Sequence, residues 1–217
     1  MYKKNVQHGE VDMSTLTKKK AEAEERRLKK ESGGTAAAAA AASPNEAPVL
    51  MQEGDKRWIV RNQVGVPSKK LRLELDKVNM RQAVRIENCR FVYLQIKGKV
   101  NSITVVNCNK VQVALDSVVS SLDVLKCEGC DVQVDNSAPT VSIENSNSIN
   151  LYLVNPAEAR ATKIVTACSS SVNVNFPSAA DSEETVERAI PEQFVSRIVP
   201  DGARGYKIET KANEMFS

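Results

Sequence analysis

One phrase recurs along this chain at a fixed interval. Val84-Arg-Ile-Glu-Asn-Cys89 returns as Ile103-Thr-Val-Val-Asn-Cys108, as Leu122-Asp-Val-Leu-Lys-Cys127 and as Val141-Ser-Ile-Glu-Asn-Ser146. The steps from Ile86 to Val105, Val124 and Ile143 are 19 residues each. A fixed period of about 20 residues marks a solenoid, in which one short unit stacks on copies of itself. Within each unit apolar residues alternate twice. Val84 and Ile86 alternate with Arg85 and Glu87; after a polar corner, Val92, Leu94 and Ile96 alternate with Tyr93, Gln95 and Lys97. Alternation with period two places one set inward and the other outward on a strand. Each repeat therefore reads as two short strands and two corners. A single unit cannot bury its inner face, whereas a stack can. An antiparallel sandwich also has turns every 8 to 12 residues or so, but nothing in it calls for near-identical phrases at a constant step.

Stacking predicts ladders of equivalent side chains. The expected inner ladder is Val92, Val111, Val132, Ile149 and Val172, flanked by an outer ladder of Tyr93, Gln112, Gln133, Asn150 and Asn173. Asn88, Asn107 and Asn145 mark corners, since asparagine tolerates left-handed backbone. The repeat degrades at both ends. Leu71, Leu73 and Leu75 form an earlier rung, and Trp58-Ile-Val60 starts the strand system. Asn155 to Arg160 is an insertion that leaves the register of residues 163–165 open. Val172, Val174 and Phe176 then restore the alternation.

The chain has 217 residues, a net charge of +3 and 4% aromatic residues. That charge is too small to argue for nucleic acid, and so few aromatics make base-stacking platforms improbable. No apolar run approaches the roughly 20 residues of a membrane-spanning helix. Met1 to Glu10 is polar and lacks a signal-peptide pattern. Of the five cysteines, Cys89, Cys108 and Cys127 share one repeat position, so a reduced core of a cytosolic protein is expected. Cys127-Glu-Gly-Cys130 stands alone; a zinc site needs four ligands, and His8, the sole histidine, lies in a separate charged segment.

The ends differ from the repeats. Residues 14–31 are rich in Lys, Glu, Ala and Arg, and Glu22 with Arg26 is a favourable helical pair. Ser32-Gly-Gly-Thr35, seven alanines and Ser43-Pro44 follow. Residues 1–47 therefore read as a flexible, partly helical extension, and 48–217 as the solenoid domain. Asp181 to Glu187 is acidic and reads as a loop or one helical turn. Beyond Ile190-Pro191, Phe194 to Val199 and Tyr206 to Thr210 flank the turn cluster Pro200-Asp-Gly-Ala-Arg-Gly205, which is a hairpin pattern. An uncapped solenoid end exposes unpaired backbone, so this hairpin covers either its own end or a second copy.

Lys56-Arg-Trp-Ile-Val-Arg-Asn-Gln63, the Asn-Cys rungs and Ile190-Pro-Glu-Gln-Phe194 before a terminal hairpin together resemble the cyclase-associated protein C-terminal domain, over roughly residues 48–217. The resemblance implies an all-β, right-handed parallel β-helix of about six rungs. It implies a homodimer formed by exchange of the hairpin 190–217, with Phe194, Val195, Ile198, Tyr206 and Ile208 at the dimer contact. It further implies a cytoplasmic, cytoskeleton-associated protein that binds monomeric actin, prefers the ADP form and promotes nucleotide exchange. The family's helical N-terminal domain and polyproline stretch have no counterpart here, as in a short member or a fragment. Tyr2-Lys-Lys-Asn-Val6 and Leu16-Thr-Lys-Lys19 are the candidates for a degenerate actin-binding WH2 element.

No catalytic constellation, cofactor motif or glycine-rich phosphate loop is visible, so a non-enzymatic role is expected. The outward basic residues Lys69, Lys70, Arg72, Arg85, Lys97 and Lys110 are the candidates for contact with actin's acidic surface. Outward Val106 and Leu125 form a small apolar stripe beside them. The alternative is a GTPase-activating solenoid of the tubulin-cofactor-C type, in which Arg85 would serve as the inserted arginine. A polysaccharide-cleaving β-helix is a more distant third.

Overall fold

The structure, a computed structural model, describes residues 46–179, 184–202 and 205–213. The segment read as a flexible extension, including the WH2-like candidates, lies almost wholly outside the described residues.

Two parallel sheets face each other across one apolar core. The first contains β2 (Arg57–Arg61), β4 (Ala83–Glu87), the later halves of β5 (Val92–Val106) and β6 (Gln112–Leu125), β8 (Thr140–Glu144) and β10 (Lys163–Ala167). The second contains β3 (Leu71–Leu75), the earlier halves of β5 and β6, β7 (Glu128–Val134), β9 (Asn147–Leu153) and β11 (Ser170–Pro177). The strands β5 and β6 turn a corner and serve both sheets. The result is a β-solenoid of about six turns, as the repeat predicts.

The 19-residue step is the hydrogen-bonded register itself. Ile86 pairs with Val105, Val105 with Val124 and Val124 with Ile143. Their neighbours Ile103, Leu122, Leu94, Ile96 and Leu151 fill the space between the sheets and are buried. Leu71–Leu75 and Val172–Phe176 take the terminal positions that the alternation assigns them.

The corner that follows each strand of the first sheet uses left-handed backbone. Asn62, Asn88, Asn107, Lys126, Asn145 and Cys168 occupy equivalent positions with φ of 49–56°. Asparagine suits this region because its short polar side chain bonds locally. Asn107 Nδ2 also donates to Asn88 Oδ1 of the preceding rung at 2.6 Å. Three residues on, Phe91, Lys110, Gly129, Ser148 and Ser171 are left-handed as well. The residue after the first bend is Cys89, Cys108 or Cys127, then Ser146 and Ser169. Each thiol or hydroxyl donates to the carbonyl two residues earlier: Glu87, Val106 and Leu125 at 3.3 Å, Glu144 at 2.8 Å and Ala167 at 2.9 Å. The repeated cysteine is therefore a small corner donor, interchangeable here with serine. Cys89, Cys108, Cys127 and Cys130 are buried free thiols. Cys168 departs from the expected reduced core. It stands at the left-handed position and is exposed.

Four expectations need correction. Val111 is followed in its ladder by Cys130, not Val132, because Gln112 pairs with Asp131 and Val113 with Val132. The two choices differ by two residues and point to the same face, so burial pattern alone does not separate them. The outer ladder therefore runs Tyr93, Gln112, Asp131, Asn150, Asn173. The strand system begins before Trp58, with β1 (Val49–Glu53) antiparallel to β2. The end of the acidic segment read as a loop or one helical turn belongs instead to β12 (Thr185–Ala189), antiparallel to β11. The two added strands cover an open edge at each end of the stack.

The insertion before Cys168 is a short helix, α1 (Pro156–Ala161). Asn155 caps it by accepting from the amides of Ala157 and Glu158, with Pro156 at the first helical position. It lengthens the step so that Ile143 pairs with Thr166; Ile164 packs inward and Val165 points out.

The last two strands, β13 (Phe194–Pro200) and β14 (Tyr206–Ala212), pair only with each other, in a separate two-stranded sheet. Gly202 and Gly205 give their turn its positive φ values, 54° and 90°.

Candidate functional site

The six basic candidates do not form one patch. Lys69, Lys70 and Arg72 gather at the N-terminal end of the second sheet, around a depression of about 360 Å³ with Val64 and Val66. Both valines are exposed, giving an apolar floor with a basic rim. The Arg72 guanidinium lies 5.4 Å from the centroid of the Tyr93 ring, one rung on. Lys97 is tied to Glu74 at 2.6 Å across neighbouring rungs, and this hydrogen bond raises its pKa. Lys110 sits at a corner with its stem across Gly129, where a Cβ would meet its Cδ at 2.8 Å.

Arg85 is on the other sheet. Its Nε donates to Glu87 Oε2 at 2.6 Å, and Arg61 Nε donates to Glu87 Oε1. Partial burial pulls the Glu87 pKa up. The hydrogen bonds from Arg85 and Arg61 outweigh it and hold the carboxyl below its ordinary value of 4.5. A lowered folded pKa stabilises the fold above the unfolded pKa, and that contribution fades as pH falls through the folded value. Replacing Glu87 by Gln is expected to remove about 1 kcal/mol at neutral pH and to flatten the acid limb of the stability curve. Urea unfolding of both proteins from neutral to acidic pH measures this; parallel curves contradict it. Arg85 is thus one clamped member of a three-residue network, which leaves it poorly disposed to reach into a partner.

Carboxylates collect further along the second sheet. Asp131, in no ion pair among the described residues, accepts from Gln112 Nε2 at 2.8 Å and from Asn150 Nδ2 at 2.9 Å. Asp116 accepts the Gly98 amide at 2.6 Å, and Asp135 accepts from Gln133 at 2.7 Å. Between Tyr93 and Tyr152 the face dips at Ala114, leaving a depression of about 230 Å³. Burial, then the charges of Asp131 and Glu187, push the Tyr152 hydroxyl above its usual pKa. The sheet is therefore basic at its start and acidic beyond. The acidic half escapes a sequence reading because the two-residue ladder slip puts Gln133 where Asp131 stands. Val106 and Leu125 are half-buried neighbours on the first sheet, between Glu87 and Glu144.

The hairpin concentrates its apolar residues. Phe194, Ile198, Tyr206 and Ile208 lie on one face, with exposures of 60%, 75%, 76% and 70%. Val195 falls on the opposite face with Arg197, Lys207, Glu209 and Lys211. The hinge is held at the solenoid: the Ile190 amide donates to Val172 O at 2.8 Å, and the Ser171 amide to Glu192.

These features define a class: a β-solenoid with an antiparallel strand on one sheet at each end and a separate terminal hairpin. The family model described as "Adenylate cyclase associated (CAP) C terminal" matches residues 46–215. The chain belongs to that family. It is 34% identical over 147 residues to "Cyclase-associated protein 1" of Arabidopsis thaliana, covering 68% of this chain and 30% of that protein. It is 29% identical over 170 residues to the "Adenylyl cyclase-associated protein" of Dictyostelium discoideum, covering 78% and 34%. The chain thus matches about a third of the length of these curated relatives. The crystal structure of "Cyclase-Associated Protein from Cryptosporidium parvum" superposes with a TM-score of 0.68 at 26% identity, covering 78% of this chain and 97% of that one.

Proposed function

We propose that this chain binds monomeric actin, with preference for the ADP form, and promotes exchange of actin's nucleotide. The observation that carries the reading is the family match, which runs through both the solenoid and the terminal hairpin. The chain acts by binding and not by catalysis, in the cytoplasm and with the cytoskeleton. A partner that holds one conformation of actin more tightly shifts its population and opens the nucleotide cleft. The nucleotide stays on actin, so this chain needs no phosphate site of its own.

The contact is assigned to the basic end of the second sheet. Lys69, Lys70 and Arg72 supply charge complementary to an acidic surface, while Val64 and Val66 supply apolar area at its centre. The protein works as a homodimer joined through its C-terminal hairpins, which places two such ends on one particle.

Release of a fluorescent nucleotide from ADP-actin monomers tests the reading. Saturating protein is expected to accelerate release, and a variant with Lys69, Lys70 and Arg72 changed to Glu is expected to lose most of that acceleration. No acceleration together with no binding would sink the actin reading. Full activity in the triple variant would move the contact elsewhere.

A further inference from the structure

The depression at Ala114 has no place in the actin contact assigned above, and its chemistry is of opposite sign. Its floor is the Ala114 methyl, the smallest member of an outward ladder in which Gln95 precedes it and Gln133 follows. The longer side chains on either side leave a recess, with Tyr93 and Tyr152 at its two ends. Asp131 stands at its rim. Each of its carboxylate oxygens accepts one amide hydrogen bond, from Gln112 or from Asn150, which fixes the group in place. An ionised carboxylate has about four acceptor positions, so two remain for a ligand. Two cations lie on the side of the preceding rungs: Arg72, beside Tyr93 and one rung before that ring, and Lys97, which is held by Glu74 and also feels the charge of Asp116. The Arg72 contact also shows that a guanidinium settles beside a tyrosine on this sheet.

We propose that this recess is a docking site for an arginine side chain presented by a partner polypeptide. The guanidinium would lie over the Ala114 methyl, stack against a tyrosine ring and direct its N–H groups to Asp131 and to the Gln133 side-chain oxygen. Arginine is favoured over lysine because its planar, weakly hydrated head matches both an aromatic face and a carboxylate fork. Asp135 and Glu187 add charge complementarity beyond the recess, whereas Asp116 is partly offset by Lys97. The assignment does not rest on the actin reading, and either holds if the other fails.

The full chain, labelled with nitrogen-15, is titrated with N-acetyl-arginine amide and, separately, with N-acetyl-citrulline amide, its uncharged isostere. The arginine probe is expected to move the amide signals of Ala114, Asp131, Gln133 and Tyr152, and the citrulline probe to leave them in place. Asp131→Asn is expected to weaken the arginine response by about tenfold. Ala114→Gln, which extends the existing glutamine ladder and fills the recess, is expected to abolish it. The Ala114 variant decides the matter if Asp131→Asn fails to fold. Absence of shifts at these four residues, an equal response to citrulline, or an unchanged response in Ala114→Gln overturns the site.

Discussion

Leu122→Ala is expected to lower the free energy of unfolding by about 2–5 kcal/mol. Leu122 is fully buried in the middle of the stack, between Ile103 of the rung before and Val141 of the rung after. Part of the loss is the transfer free energy of the deleted atoms, and part is the cavity left behind. The second term should be large here. Backbone ladders hold adjacent rungs about 4.8 Å apart, so neighbouring chains cannot close over the gap without breaking hydrogen bonds on both sides. Solenoid stability is close to a sum of rung and interface terms, and a central rung takes part in two interfaces. Urea unfolding measures the change. Asp123→Ala, one residue away on the outward face, serves as the control; it loses the hydrogen bond from the Ser121 hydroxyl at 3.1 Å and is expected to shift stability by no more than about 1 kcal/mol. A loss below about 1 kcal/mol for Leu122→Ala would mean that the sheets collapse onto the cavity, contrary to the rigid-rung account.

That buried ladder is also what made the fold legible in the sequence. Ile86, Val105, Val124 and Ile143 repeat because each occupies the same place on successive turns, and burial forbids a polar residue there. Corners were legible for the same kind of reason: left-handed backbone selects asparagine at residues 88, 107 and 145. The strands that escaped are held mainly by their backbone. Of Val49–Glu53, only Val49 is even half-buried, and in Thr185–Ala189 only Val186 is. Antiparallel pairing to an edge needs main-chain groups, which every residue carries. The Val132 slip has a related origin, since a shift of two preserves the face and changes only which rung neighbour is met. The candidate site was half legible. Outward cations are visible as charge, but their neutralisation is not: Glu74 lies 23 residues from Lys97, and Arg61 lies 26 from Glu87. The recess at Ala114 is a shape, formed by what its neighbours have and it lacks, and no local pattern announces it.

Replacing Ile198 and Ile208 together by Asp is expected to convert a dimer to a monomer while the solenoid stays folded. The two residues face each other across the hairpin, with Phe194 and Tyr206 on the same face. All four are more than half exposed, although Phe194, Ile198 and Ile208 would each contribute about 1.5–3 kcal/mol on full burial. A lone two-stranded hairpin is at best marginally stable in water, so a sheet of this kind needs a surface to lie on. Among the described residues the hairpin makes no strand pairing with its own solenoid. Its opposite face sets Arg197, Lys207, Glu209 and Lys211 around Val195 and Val199, a more polar face that suits solvent better. In the proposed dimer a second copy would supply that surface and, by twofold symmetry, receive the same service in return. Two facing carboxylates in that contact would be desolvated without a cationic partner, which costs several kcal/mol per ion. Deleting residues 190–217 should have the same effect on mass, but it also removes the Ile190 bond to Val172 and can expose the last rung to aggregation. The paired substitution avoids that ambiguity. Light scattering gives the mass, and circular dichroism reports whether the solenoid remains folded. A dimer mass that persists in the double variant places the contact elsewhere, and a parent protein that is already monomeric removes the hairpin's proposed role altogether.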